Sequence, residues 1–184
     1  KPAGEYFIQQ GTGEDYAVLF VGGWDAANNH DRYYLITVKT YQALIDDFGL
    51  SPNNIYVLFS DGGAVGVDES NGDDSDMSFA ANVYTATAAN LQTVLNIVAG
   101  RITPGGNDNF LFWSYDHGGD PADGVTADHD QETLTGWGEE INDEDVAQWL
   151  LNASREAAHA TFVFGECFSG GILGGHQCGS YVDE

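Results

Sequence analysis

Four short stretches of the chain are dominated by apolar residues, and between them lie segments whose apolar residues recur every three or four positions. The first kind comprises residues 16–21 (Tyr-Ala-Val-Leu-Phe-Val), 55–59 (Ile-Tyr-Val-Leu-Phe), 109–115 (Asn-Phe-Leu-Phe-Trp-Ser-Tyr) and 160–164 (Ala-Thr-Phe-Val-Phe). Such runs are expected of strands buried on both faces of a sheet. Residues 34–48 carry Leu35, Val38, Tyr41, Gln42, Leu44 and Ile45 at helical spacing, with Gly49 as the stop. Residues 87–99 put Leu91, Val94, Leu95 and Val98 on one face behind Thr87, a capping residue, and Pro104-Gly105-Gly106 ends that segment. Residues 142–151 form a short helix with Asn142 as its cap and three acids in its first turn. Strands alternating with helices predict an α/β fold with a mostly parallel sheet flanked by crossover helices. Residues 61–78 and the acidic stretch ending at Glu132 read as loops, and no internal repeat is present.

Composition makes this one globular domain over residues 1–184. Charged residues are only 18% of the chain and hydrophobic residues 42%, which is a core-forming balance. Five Lys+Arg against 29 Asp+Glu leave a formal net charge of −24. That field repels phosphate backbones and anionic headgroups, which argues against nucleic-acid and membrane-surface binding. No apolar run approaches the roughly 20 residues that span a bilayer, and the sequence starts at Lys1 with no signal-peptide pattern. Two cysteines, Cys167 and Cys178, are too few for a disulfide-dense fold. They permit one bridge or one reactive thiol. Asp-rich acidity with few Lys suits an extracellular or cell-surface protein.

Two predicted strands deliver a chemically special residue at their carboxyl ends. His117 follows the third strand and Cys167 the fourth, each succeeded by glycines. The carboxyl edge of an open α/β sheet is where ligands bind, and consecutive strands are usually neighbours. A thiol needs a base within reach to act as a nucleophile near neutral pH, and imidazole has the right proton affinity. Gly118 and Gly119 leave room for a substrate backbone, and the amides of Gly118 and Cys167 could face a developing oxyanion. Taken singly, a cysteine after a buried strand is more often inert core and a histidine in a glycine-rich loop more often solvated. The pair, in the order His then Cys, has the separation of about 50 residues found in caspase-type nucleophile arrangements.

These residues resemble the legumain/caspase superfamily of cysteine peptidases, most closely its bacterial legumain-like branch. The resemblance rests on Phe110-Leu-Phe-Trp-Ser-Tyr-Asp-His117-Gly-Gly, on Phe162-Val-Phe-Gly-Glu-Cys167-Phe-Ser-Gly-Gly, on the opening strand followed by Gly22-Gly23-Trp24, and on Asn53-Asn-Ile-Tyr-Val-Leu-Phe59 with its acidic loop. It covers about residues 14–173. It implies a caspase-like three-layer sandwich and amide hydrolysis through a thioester. In that chemistry Cys167 attacks the carbonyl, His117 protonates the leaving amine, and Gly118 and Cys167 form the oxyanion hole. No cofactor is required, and the partner is a protein or peptide substrate. A complete fold of this family has further strands after the nucleophile, whereas 17 residues follow Cys167 here. The expectation is therefore a chain lacking its carboxyl-terminal strands, with that part missing or carried on a separate small chain made by proteolytic processing.

The family places an arginine like Arg32 in its primary specificity pocket, where a rigid fork can bind a substrate Asn or Asp. The alternative for Arg32 is a surface pair with Asp31. Asp116 and Glu166, beside the dyad, are further candidates for substrate contact. Legumains carry an acid just after the nucleophile, where this chain has Phe168, and that departure leaves strict asparagine specificity open to question. Asp120, Asp123, Asp128 and Asp130 could instead recognise a basic side chain. The acidic loops could also hold calcium, either through Asp68, Asp73, Asp74 and Asp76 or through Asp128, Asp130, Glu132 and Glu139, the second set having Thr133 where an EF-hand requires Gly. A rival reading is an idle caspase-like surface module that binds calcium or a protein partner. A serine hydrolase built on Ser169 fails because Cys-Phe-Ser-Gly-Gly lacks the G-x-S-x-G elbow.

Overall fold

A computed structural model describes residues 13–119 and 133–166 of the chain. Its centre is a five-stranded, wholly parallel sheet formed by β1 (Asp15–Val21), β2 (Ile55–Phe59), β3 (Asn82–Tyr84), β4 (Asn109–Ser114) and, after a small meander, β8 (His159–Phe164). The spatial order is β3-β2-β1-β4-β8. Helix α1 (Asp31–Asp46) packs on one face, and α2 (Ala88–Arg101) and α3 (Asp143–Ser154) pack on the other. This is the expected α/β sandwich. The four sequence-predicted strands are all present, and the third and fourth of them are neighbours, paired from Asn109↔His159 to Ser114↔Phe164.

Two cores sit on the two faces, as the alternation along a strand demands. Tyr16, Val18, Phe20, Phe110 and Phe112 face α2 and α3, where Leu91, Leu95, Val98, Val146 and Leu150 cover them. Ala17, Leu19, Val21, Ile55, Val57 and Phe59 face α1 and meet Tyr33, Tyr41 and Leu44. Thr87 caps α2 as expected, its hydroxyl accepting from Asn90 N at 3.3 Å. Gly49 stands past the end of α1 at φ +76°, and its N–H reaches Ile45 O at 3.1 Å. Its missing Cβ is what allows that left-handed exit.

Several local expectations are corrected. Helix α1 starts three residues earlier than its apolar spacing suggests, so Arg32 lies in its first turn and not in a loop. Its buried stripe is Tyr33, Thr37, Tyr41 and Leu44, and Leu35 is 51% exposed. Asn142 occupies the position before α3 but makes no side-chain cap, and it is the last residue of a strand. That strand is part of an unforeseen antiparallel meander of β5 (Gly118–Gly119), β6 (Thr133–Thr135) and β7 (Glu140–Asn142). β3 was also not foreseen; at three residues it carries too little pattern to be separated from a loop. β8 is an edge strand among the described residues, and Val163 on it is exposed. No helix among the described residues is long and apolar enough to cross a membrane.

The strand order reverses between β1 and β4: the chain first builds outward through β2 and β3, then returns to the other side of β1. A crevice forms at such a switch point, at the carboxyl ends of the two strands. There Gly22 lies against the backbone of the meander. A Cβ added to it would stand 2.0 Å from Thr135 O, whereas one added to Gly100, on the exposed side of α2, would meet nothing. Gly22→Ala is expected to lower unfolding free energy by at least about 2 kcal/mol through overpacking, and Gly100→Ala to raise it by about 0.5–1 kcal/mol through helix propensity. Urea unfolding of the two variants measures both.

Candidate active site

The crevice is built by three chain segments. The β1 exit runs through Gly22 and Gly23 to His30, the β4 exit through Tyr115 to Gly118, and the β8 exit through Gly165 to Glu166. Asp116 joins the first two. One of its carboxylate oxygens accepts from Gly23 N and the other from His117 N at 2.6 Å. The side chain is buried, and burial pushes its pKa up while these backbone N–H groups pull it partly back. Each Asp116 oxygen is thus engaged by one backbone N–H. Asp116 thereby locks the loop after β1 against the residue that carries the imidazole.

His117 is half-buried, and its Nε2 has two neighbours from the β1–α1 segment. Asn28 O lies at 3.1 Å and the Tyr33 hydroxyl at 3.3 Å. A carbonyl can only accept, so the contact with Asn28 requires the proton on Nε2 and leaves the Nδ1 lone pair for proton exchange. The ring meets Tyr33 edge to face, with centroids 5.4 Å apart and an interplanar angle of 85°. His30, at the start of α1, stands 5.7 Å from the His117 ring and reaches Ser70 Oγ through Nδ1 at 3.2 Å. Arg32 is exposed. Its guanidinium donates to the Tyr33 hydroxyl at 3.0 Å and lies 4.7 Å from the centre of that ring. The structure thus brings Arg32 to the His117 crevice and engages it with Tyr33.

Gly118 enters the two-residue pairing of β5 with β6, opposite Leu134. Cys167, the other half of the expected dyad and oxyanion hole, lies outside the described residues, as do Phe168, Ser169, Cys178 and the acids at 120, 123, 128, 130 and 132. Glu166 is described and buried. Ser114 Oγ is near enough to hold the Glu166 pKa down slightly, yet neither that hydroxyl nor either Glu166 oxygen completes a hydrogen bond of normal geometry. Burial dominates and, with a smaller contribution from Asp116, pushes the Glu166 carboxyl up to about 7. It is 7% exposed and immediately precedes Cys167 in the sequence.

Of the two acidic clusters read as possible calcium sites, Asp68, Asp73, Asp74, Asp76 and Glu139 are described. Among the described residues no group of three or more His, Cys, Asp or Glu could hold a metal ion. Asp68 is fully buried and accepts from Ser60 Oγ at 2.6 Å, Ser75 N at 2.7 Å and Ser75 Oγ at 2.6 Å. Asp74 and Asp76 accept from Gly66 N and Ser78 N. Asp73 contributes its backbone carbonyl to Asp68 N and Glu69 N. Glu139 accepts from Ala88 N at 2.6 Å, at the start of α2. The acidic loop is organised around Asp68 and braces the crevice, since Asn29 Nδ2 donates to Asp68 O at 2.8 Å and Ser70 N to Asn29 O at 2.7 Å.

Three contributors escape a reading of the sequence. Asn28 acts through its main chain, so its side chain carries no signal. Tyr33 sits on the apolar stripe of α1 and looks like core, and His30 has no pattern around it. Comparison of the chain with known protein families and with curated proteins finds no match.

Because folded Glu166 holds its proton up to about pH 7 and the unfolded chain releases it near its ordinary 4.5, stability is full below pH 4.5 and falls as pH rises towards 7. The loss is about 3 kcal/mol. Glu166→Gln should remove most of this slope and leave the protein the more stable of the two at pH 8. Urea midpoints between pH 4.5 and 8 check it; an unchanged slope would contradict the burial argument.

Proposed function

We propose that this chain is a cysteine endopeptidase of the legumain/caspase type, acting on protein or peptide substrates with His117 and Cys167. One observation carries the reading. The register of the adjacent strands β4 and β8 ends at Ser114↔Phe164, and His117 and Cys167 each follow three positions later in the sequence. Neighbouring strands run about 5 Å apart, so the carboxyl ends of β4 and β8 lie side by side, which supports bringing the two residues to one edge of the sheet. The orientation of His117 adds support, because Asn28 O fixes Nε2 and frees Nδ1.

The chemistry follows from these roles. The Cys167 thiol gives its proton to His117, and sulfur adds to the scissile carbonyl carbon, opening the C=O bond to an oxyanion that the Gly118 amide, with that of Cys167, would receive. The intermediate collapses as the C–N bond breaks and imidazolium passes its proton to the departing amine. A thioester remains. Water, deprotonated by His117, adds to that carbonyl; the C–S bond breaks, and the acid product and the free thiol are restored. Arg32 supplies an exposed guanidinium at the same crevice, which favours substrates with an Asn or Asp side chain at the cleavage point.

The test uses iodoacetamide on the intact chain, followed by peptide mapping. Cys167 should alkylate faster than Cys178, and His117→Ala should slow Cys167 about 100-fold while leaving Cys178 unchanged. Equal labelling of Cys167 with and without His117 would defeat the peptidase reading.

A further inference from the structure

The structure places one hydroxyl between the side chain read as substrate-binding and the side chain read as catalytic. Tyr33 projects from the first turn of α1 into the crevice and is buried. Its oxygen lies 3.0 Å from the Arg32 guanidinium and 3.3 Å from His117 Nε2. Both partners can donate to that oxygen, and a phenol oxygen has the lone pairs to receive both. The ring is held from behind by Tyr115, edge-on at 6.0 Å, which itself stacks on Trp113. Tyr33 is thus a fixed point, not a mobile surface phenol.

We infer that Tyr33 is a positioning residue through which occupation of Arg32 is communicated to His117. While Arg32 donates to the hydroxyl, it draws electron density from the oxygen and weakens its acceptance of the imidazole N–H. When a carboxylate or amide oxygen of a substrate engages the guanidinium, the oxygen becomes the better acceptor and holds Nε2–H more firmly. Imidazolium is then favoured at the moment when the thiol must lose its proton. Recognition and activation share one atom. The other groups around His117 are Asn28 O and the ring of His30 from the β1–α1 segment, Asp116 from the β4 exit, and Glu166 behind Asp116 from the β8 exit. None of them links His117 to Arg32.

The inference rests on the peptidase reading for its purpose but not for its test. The ring ¹⁵N shifts of His117, observed through its non-exchanging ring protons and assigned by their loss in His117→Ala, are measured in the intact chain. The set comprises the wild type, Tyr33→Phe, Arg32→Gln and the double variant. Tyr33→Phe should displace the Nε2 signal and lower the rate of Cys167 alkylation by iodoacetamide about fivefold, roughly what one hydrogen bond contributes. It should also displace the pH profile of that rate, with a Tm near that of the wild type because the ring packing remains. Arg32→Gln should displace the same Nε2 signal when Tyr33 is present and have no further effect when residue 33 is Phe. Addition of the two single-variant effects in the double variant, or an unmoved Nε2 signal in Tyr33→Phe, overturns the inference. His117-independent alkylation defeats the peptidase reading alone, since the nitrogen shifts still decide whether the hydroxyl couples the two side chains.

Discussion

The bond pair made by Asp116 is the constraint on which the crevice depends. A parallel sheet fixes where its strands end but not how the loops beyond them meet. Here one carboxylate receives a backbone N–H from the exit of β1 and another from the exit of β4. Charge-assisted hydrogen bonds of this kind are about twice as strong as neutral ones, which offsets the burial that pushes the carboxyl's pKa up. Once Gly23 is tied down, the segment running on to His30 has its start fixed by Asp116. Its far end is fixed by α1 and by the contacts of Asn29 with the acidic loop. Asn28 O and Tyr33 then stand where His117 Nε2 can meet them.

The same device recurs across the molecule and explains how so acidic a chain folds with so few cations. Asp108 accepts from Glu14 N and Thr103 N, each at 2.7 Å, and those donors hold its pKa low against the effect of burial. Asp68 closes the acidic loop through two serines, and Glu139 takes the first free N–H of α2. Backbone N–H groups outnumber Lys and Arg many times over, and they cost no side-chain entropy to fix in place. Carboxylates that appear to be a surface field, or a cation site, when counted along the sequence are in good part turn and loop fasteners.

That explains what was and was not legible in the residues. The apolar runs at 16–21 and 55–59 declare themselves as strands because burial on both faces leaves no polar position, whereas the run at 109–115 keeps Asn109 and Ser114 and the run at 160–164 is legible although, among the described residues, it forms an edge strand with no buried residue. Connectivity then places β2 beside β1 and β8 beside β4, but not β4 beside β1. Short elements such as β3 and β5 lack enough residues to show a period. Leu35 misleads because the stripe that packs on β1 and β2 is set by Tyr33, Thr37, Tyr41 and Leu44, two of which are aromatic phenols and one a threonine. His117 is legible as a special residue because an apolar strand and two glycines frame it. The group that orients it is a main-chain carbonyl, which no side-chain pattern encodes. Asp68 and Asp116 are legible as acids, but whether an acid meets a cation, a substrate or an amide is decided by the fold.

On the peptidase reading proposed above, the remaining physical question is how a Cys167 thiolate would form in so negative a protein. A net charge of −24 raises the energy of any added anion, and Asp116 is a buried acid close to the crevice. Glu166, immediately before Cys167 in sequence, would add a second anion were it ionised. Its burial with no completed hydrogen bond keeps it protonated up to about pH 7 instead, so below neutrality the residue beside the thiol bears no charge. The two Asp116 oxygens each accept a backbone N–H, from Gly23 and from His117, and those donors draw down the pKa that burial raises. Arg32 donates to the Tyr33 hydroxyl, which also meets His117. On the peptidase reading, the setting for a thiolate worsens as pH rises past the point where Glu166 gives up its proton.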